Sequence, residues 1–152
     1  MNWWKLIASI IICELAGVVG SVFTFSEITG WYTALQKPFF TPPNWVFGPV
    51  WLTLYALIGL SLYIIWIRGA DRTALKWFAV QLALNTVWSI VFFGAHSLLS
   101  GLFTIVLLWL AILATIMKFA KISKIAAWLL VPYIVWVTIA SMLNFSIWLL
   151  NP

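Results

Sequence analysis

Hydrophobic positions along this chain do not alternate with polar ones; they run on. Five apolar stretches, separated by short polar breaks, each approach the ~20 residues an α-helix needs to cross a hydrocarbon core of ~30 Å. They predict helices over about 3–25, 45–67, 75–93, 98–119 and 125–150. A transmembrane barrel would instead show ~10-residue segments of strict alternation. Each break has a local reason. Ser26 to Asn44 carries Glu27, Gly30, Lys37, Pro38, Pro42 and Pro43; Arg68-Gly69-Ala70-Asp71-Arg72 is charged and contains Gly; Gly94-Ala95-His96-Ser97 is short and polar; Lys118 to Lys124 is basic. The expected fold class is all-α, a polytopic membrane protein with residues 1–152 forming one five-helix transmembrane domain. Pro49 falls in the first turns of the second helix, where few donors are lost. Pro132 lies inside the fifth and frees the carbonyl of Trp128, which predicts a kink.

Composition agrees with the pattern. The chain is 65% hydrophobic and 7% charged, too little charge for the surface of a soluble domain of this length. The net charge of +5 does not imply nucleic-acid binding, because the basic residues are scattered between spans with no basic face and no recognition motif. With five spans, Lys5, Arg68, Arg72, Lys76, Lys118, Lys121 and Lys124 share one end of the bundle, and Lys37 stands alone at the other. The positive-inside rule then puts the N-terminus in the cytoplasm and the first loop and C-terminus outside. The first stretch lacks a basic leader and a small-residue cleavage site, so it is read as a retained helix. Cys13 is the single cysteine, which excludes an intramolecular disulfide.

Polar and aromatic residues recur at helical spacing. Gln81, Asn85, Trp88 and Phe92 share a stripe on the third helix, with Ser89 beside it; Tyr133, Trp136, Ala140 and Asn144 do so on the fifth, with Leu143 adjacent; Trp51, Tyr55 and Ile58 align on the second. Amides are costly against lipid and should face protein or a cavity. Two readings stay open: interhelical glue, worth on the order of 0.6 kcal/mol per bond, or the polar points of an aromatic-walled binding site. Trp3, Trp4, Trp66, Trp77 and Trp148 lie near span ends and suit an interfacial belt; Trp51, Trp88 and Trp136 are the cavity candidates. Glu14 sits near the middle of the first span, in line with Gly17 and Ser21. It is either a protonated, hydrogen-bonded structural group or a proton or cation site. His96 is the only histidine and reads as a loop residue: no metal-ligand pattern surrounds it, and no further histidine can serve a Ser or Cys nucleophile as base. No phosphate-binding glycine loop is present.

The most informative stretch is the first loop and its entry into the second helix: Trp31-Tyr32-x-x-Leu35-x-Lys37-Pro38, then Pro42-Pro43-x-Trp45-Val46-Phe47-Gly48-Pro49-Val50-Trp51. An aromatic, proline-stiffened loop against a membrane bundle looks like a lid. Together with Gln81-Leu82-x-Leu84-Asn85-x-x-Trp88-Ser89, Phe92-Phe93-Gly94 and Pro132-Tyr133-x-x-Trp136-x-x-x-Ala140-x-x-Leu143-Asn144, it resembles the translocator protein family, also called tryptophan-rich sensory proteins or peripheral-type benzodiazepine receptors. The resemblance spans most of the chain. It implies a five-helix bundle, often a homodimer, with a ligand pocket beneath the first loop. Family ligands are porphyrins and other tetrapyrroles, sterols in animal members, and synthetic isoquinoline or benzodiazepine compounds. By motif position Tyr32, Pro42, Pro43, Trp51, Asn85, Trp88, Phe92, Trp136, Ala140 and Leu143 fall in that site. Some bacterial members degrade protoporphyrin in light, a chemistry associated with indoles at the positions of Trp51 and Trp136. The sterol motif that closes the last helix in animal members is missing from Leu143–Pro152, which has no Tyr and no basic residue. This lowers the case for sterol binding and fits a microbial cell membrane.

The function so implied is that of a membrane porphyrin-binding protein acting as sensor, regulator or transporter, with no cofactor or metal required. Two alternatives come from other classes: a small proton-coupled exporter of aromatic cations built on Glu14, and a light-dependent porphyrin-degrading enzyme using Trp51 and Trp136.

Overall fold

In the computed structural model, which describes residues 2–69 and 71–152, apolar runs and breaks become helices and turns. Met1, and Ala70 within the charged break between the second and third spans, lie outside the described residues. Helix α1 covers Trp3–Thr29, α2 is the single turn Trp31–Ala34, and α3 covers Asn44–Ile67. Arg72–Ser89 forms α4 and continues into a π turn at Ile90–Gly94; α5 is Leu98–Ala120, α6 Lys124–Leu129 and α7 Val131–Leu150. Among the described residues, five segments are long and apolar enough to cross a membrane: α1, α3, α4 with its π turn, α5, and α6 with α7.

The boundaries follow from local chemistry. Asp71 caps α4 by accepting from the Ala74 amide at 2.6 Å, and Ser123 caps α6 by accepting from Ala126 at 3.3 Å. Pro49 is absorbed within α3. The break forced by Pro132 falls at Leu130, which separates α6 from α7. The first helix runs four residues past the expected Phe25, because Ser26, Glu27 and Thr29 tolerate a helical turn and chain reversal waits for Gly30.

The spans pack as a ring: α3 against α1, α1 against α4, α4 against α5, α5 against α7, and the α6–α7 span back against α3. Small residues set the closest approaches. A Cβ on Gly59 would lie 2.7 Å from the Cα of Ile10, and one on Gly17 would lie 2.5 Å from the ring of Tyr55. Without a hydrophobic driving force between helices in lipid, such close packing is what holds spans together. Interhelical hydrogen bonds add to it: Ser61 Oγ donates to the Ala126 carbonyl at 2.8 Å, and Thr86 Oγ1 to the Ala16 carbonyl at 3.3 Å. The stripes anticipated on α4 and α7 turn inward: Gln81, Asn85, Trp88, Phe92, Tyr133, Ala140, Leu143 and Asn144 are buried. The basic residues also segregate by end, with Lys37 on the end opposite Lys5.

Candidate functional site

The first loop is docked, not free. Tyr32, on the one-turn helix α2, is 3% exposed and inserts its ring among Phe47, Phe92 and Phe93, at centroid distances of 6.3, 6.4 and 5.9 Å. Burial pushes its hydroxyl up to about 12. Lys37 folds back over the same turn. Its Nζ donates to the carbonyls of Tyr32 (2.7 Å), Leu35 (2.9 Å) and Thr33 (3.3 Å) and sits 4.9 Å from the Tyr32 ring centroid. The ammonium therefore satisfies carbonyls that end α2, while burial lowers its pKa.

Two side-chain clamps hold the loop from outside. Asn151, just past α7, accepts from the Gln36 amide at 3.0 Å and donates to the Gln36 carbonyl at 3.0 Å, the exchange a neighbouring strand would make. At the other side, His96 stacks on Trp31 at 4.4 Å with 12° between planes, and its Nε2 lies 2.9 Å from Glu27 Oε2. His96 reaches both because its backbone adopts φ 51°, the left-handed region. The sequence read His96 as a loop residue with no metal-ligand pattern around it. Its partner is Glu27, brought to it by the extra turn of α1.

A cavity of about 220 Å³, open along one side, lies between α1, α3 and α4. Trp51 and Tyr55 stack on its α3 wall at 5.6 Å and 30°. Asn85, Trp88 and Phe93 form the α4 wall. The α1 wall is the stripe Glu14, Gly17, Ser21, Thr24 and Ile28. In sequence, Gly17 and Ser21 are small residues in line with Glu14. Their small side chains also leave the space that makes the cavity, and only the i, i+3, i+4 recurrence through Thr24 and Ile28 hinted at it. At the cavity's edge, Val18, Phe25 and Leu52 are exposed on the lipid-facing surface.

A second void, about 20 Å³, lies nearer α7 and is lined by Tyr32, Phe92, Ala140 and Leu143. Phe47, Trp88 and Phe93 line both spaces and form the partition between them. The expected site residues are thus divided. Trp51 and Asn85 face the large cavity, Tyr32, Phe92, Ala140 and Leu143 the small void, and Trp88 both. Trp136 lines neither: it lies edge-on to Phe47 at 5.9 Å, with its indole nitrogen buried and unpartnered. Pro42 is half-buried and Pro43 exposed, and neither lines either space. The prolines shape the loop's path, while Tyr32 is the part that enters the bundle.

Asn85 does both jobs that the sequence left open. Its Oδ1 accepts from the Tyr55 hydroxyl at 2.5 Å and its Nδ2 donates to the Tyr133 hydroxyl at 2.7 Å, so it joins α3, α4 and α7 while remaining in the cavity wall. On the other side of the partition Trp88 Nε1 donates to Asn144 Oδ1 at 3.2 Å, and Asn144 Nδ2 donates to the Leu98 carbonyl at 2.9 Å. The π turn serves this layer: its extra residue per turn brings the consecutive rings Phe92 and Phe93 both inside. It ends at Gly94, where a Cβ would lie 2.9 Å from the Phe23 ring. The sequence missed this turn. Two adjacent large aromatics followed by Gly were the available signal.

Comparison with known proteins bears on the same residues. The family model described as the TspO/MBR family matches residues 9–149. The chain is 48% identical to the "Tryptophan-rich protein TspO" of Archaeoglobus fulgidus, over 99% of both chains. It is 39% identical to the human "Translocator protein", over 89% of this chain and 83% of that one. To the "Tryptophan-rich sensory protein" of Cereibacter sphaeroides it is 35% identical, over 99% of this chain and 94% of the other.

Proposed function

The chain belongs to the TspO/MBR family of membrane proteins, and we propose that it binds tetrapyrroles of the protoporphyrin type beneath its first loop, as a sensor or carrier. The observation that carries this reading is an aromatic cavity beside the docked loop, with Trp51 and Tyr55 stacked on one wall and Trp88 on another. A flat conjugated ligand gains ~0.5–1.5 kcal/mol per stacked ring beyond the burial of its area. The printed names of relatives, a translocator and a sensory protein, fit either outcome of binding.

The cavity's 220 Å³ is below the ~300–1,000 Å³ usual for drug-sized ligands. A tetrapyrrole therefore requires the partition to move. Swinging Phe47 and Phe93 aside joins the large cavity to the void beside Ala140 and brings the ligand edge toward Trp136. The proline-restricted loop loses little further entropy on closing over it.

Titration of purified protein with protoporphyrin IX, followed by tryptophan quenching and the Soret band, tests the proposal. Saturable binding is expected. Ala140→Thr, which adds bulk to a 20 Å³ void, should weaken binding at least fivefold while leaving helicity unchanged. Wild-type affinity in that variant would remove the α7 side from the site; absence of saturable binding in the wild type would sink the proposal. Illumination of the complex separates carriage from destruction. Of these two indoles Trp51 lines the cavity and Trp136 does not, so any light-dependent bleaching should fall further in Trp51→Phe than in Trp136→Phe.

A further inference from the structure

The large cavity contains a group that the tetrapyrrole reading does not use. Glu14 lies near the middle of a membrane-crossing helix, half-buried, and lines the cavity from the α1 side. Among the described residues the ion pair formed is His96–Glu27, far along α1 from Glu14, and no lysine, arginine or histidine lines the cavity. A carboxylate at this depth is expensive unless a cation or hydrogen-bond donor meets it. The remaining walls do not supply a cation. They supply π faces: Trp51, Tyr55, Trp88 and Phe93, with Phe25 and Phe47 toward the loop end. Aromatic faces attract cations within ~6 Å of the ring centre, the more so when water is excluded. One carboxyl group and a box of aromatic rings together make a site of negative potential open to no positive side chain of its own.

We infer that this cavity, as it stands with the lid docked, is a binding site for a small protonated aromatic amine, with Glu14 as its counter-ion and the Trp51–Tyr55 pair and Trp88 as its stacking walls. The size agrees. About 220 Å³ accommodates two or three fused rings without displacing the partition that a tetrapyrrole must move. The access agrees too. Val18, Phe25 and Leu52, exposed at the cavity's edge on α1 and α3, offer an apolar path from the bilayer, where lipophilic amines concentrate. The amine end travels along Ser21 and Gly17 to Glu14, small residues that leave the passage open. The inference rests on Glu14 and does not depend on tetrapyrrole binding.

The test uses two probes that share three fused rings: 9-aminoacridine, a cation at neutral pH, and acridine, neutral under the same conditions. Equilibrium dialysis of the full-length protein in detergent, corrected against protein-free micelles, gives both affinities. The wild type is expected to hold the cation at least tenfold more tightly than the neutral ring. Glu14→Gln, nearly isosteric, should bring that preference to within twofold while leaving acridine binding and far-UV helicity unchanged. Glu14→Asp keeps the charge and should retain a preference, which separates loss of charge from loss of fold. A wild type without preference overturns the inference, as does a preference that survives in Glu14→Gln. Equal loss of both probes in Glu14→Gln also overturns it, because the side chain would then act on cavity shape alone. Failure here with an intact protoporphyrin titration would leave the tetrapyrrole proposal standing, and the converse result would leave this one.

Discussion

Asn85 is where fold and cavity meet, and Asn85→Leu tests that statement quantitatively. The substitution keeps the approximate bulk of the side chain and leaves the Tyr55 and Tyr133 hydroxyls, which it bonds at 2.5 and 2.7 Å, without their partner. Interhelical hydrogen bonds within membranes average about 0.6 kcal/mol and reach about 1.7, so the loss of two should destabilise the bundle by about 1–3 kcal/mol. Tyr55→Phe removes one bond and should cost about 0.6–1.7 kcal/mol on the same scale. The decisive quantity is the coupling between them. If the 2.5 Å contact is a working bond, the double variant should be less destabilised than the sum of the singles by roughly 0.5 kcal/mol or more. Unfolding in mixed micelles of graded denaturing-detergent content, followed by far-UV dichroism, measures each corner of the cycle. Protoporphyrin affinity should fall further in Asn85→Leu than in Tyr133→Phe, because Asn85 lines the cavity and Tyr133 does not. Additivity within about 0.3 kcal/mol would refute the network as a source of stability. Equal affinity in all variants would refute Asn85 as cavity wall.

Three further outcomes are expected. Asn151→Ala removes both hydrogen bonds to the Gln36 backbone and should release bound protoporphyrin several-fold faster in stopped-flow exchange; an unchanged off-rate would mean that the loop is held by Tyr32 alone. In a Cys13→Ala background, Gln36→Cys should label with an impermeant maleimide in intact cells, since the first loop lies at the end opposite the seven basic residues; labelling only after permeabilisation would reverse the topology. Ala79 and Ala83 form a small-xxx-small step on α4 and both are exposed, so Ala83→Leu should lower the crosslinked dimer fraction if homodimers pair through this face, and an unaltered fraction would assign the contact elsewhere.

The spans were legible because continuous apolar runs have one stable outcome in a bilayer: a backbone that satisfies itself as helix. The inward faces of α4 and α7 were legible because buried amides at a 3.6-residue period leave few other places to point. What sequence periodicity could not carry was the handedness of detail where the helices end. A π turn at Ile90–Gly94 changes the phase of Phe92 and Phe93 relative to Trp88, and that phase decides which space each ring faces. Glu27 and His96 are 69 positions apart and meet only because α1 runs a turn further and His96 takes a left-handed conformation. Trp136 shares a stripe with Tyr133 and Ala140, both buried, yet its large ring extends past the void to Phe47 and stops there. One face of a helix does not guarantee one cavity.

That division bears on how a ligand enters. The partition residues Phe47, Trp88 and Phe93 come from two helices, and the three are not equally anchored. Trp88 is tied through its indole nitrogen to Asn144, which is tied in turn to the Leu98 carbonyl. Phe93 sits in the π turn, wedged between Trp88 and Phe92 at 5.8 and 4.8 Å. Phe47 has no such tether. It is half-buried near the start of α3, held by edge contacts to Tyr32 and Trp136. Aromatic edge contacts are each worth only about 0.5–1.5 kcal/mol, within reach of thermal rearrangement. Tyr32 is itself one of those contacts, so undocking the lid frees the wall that divides the cavities. For the proposed tetrapyrrole, lid opening and cavity enlargement are then one event: the loop movement that admits the ligand also makes room for it, and with the loop docked the Glu14-sided cavity of about 220 Å³ is the larger space that remains.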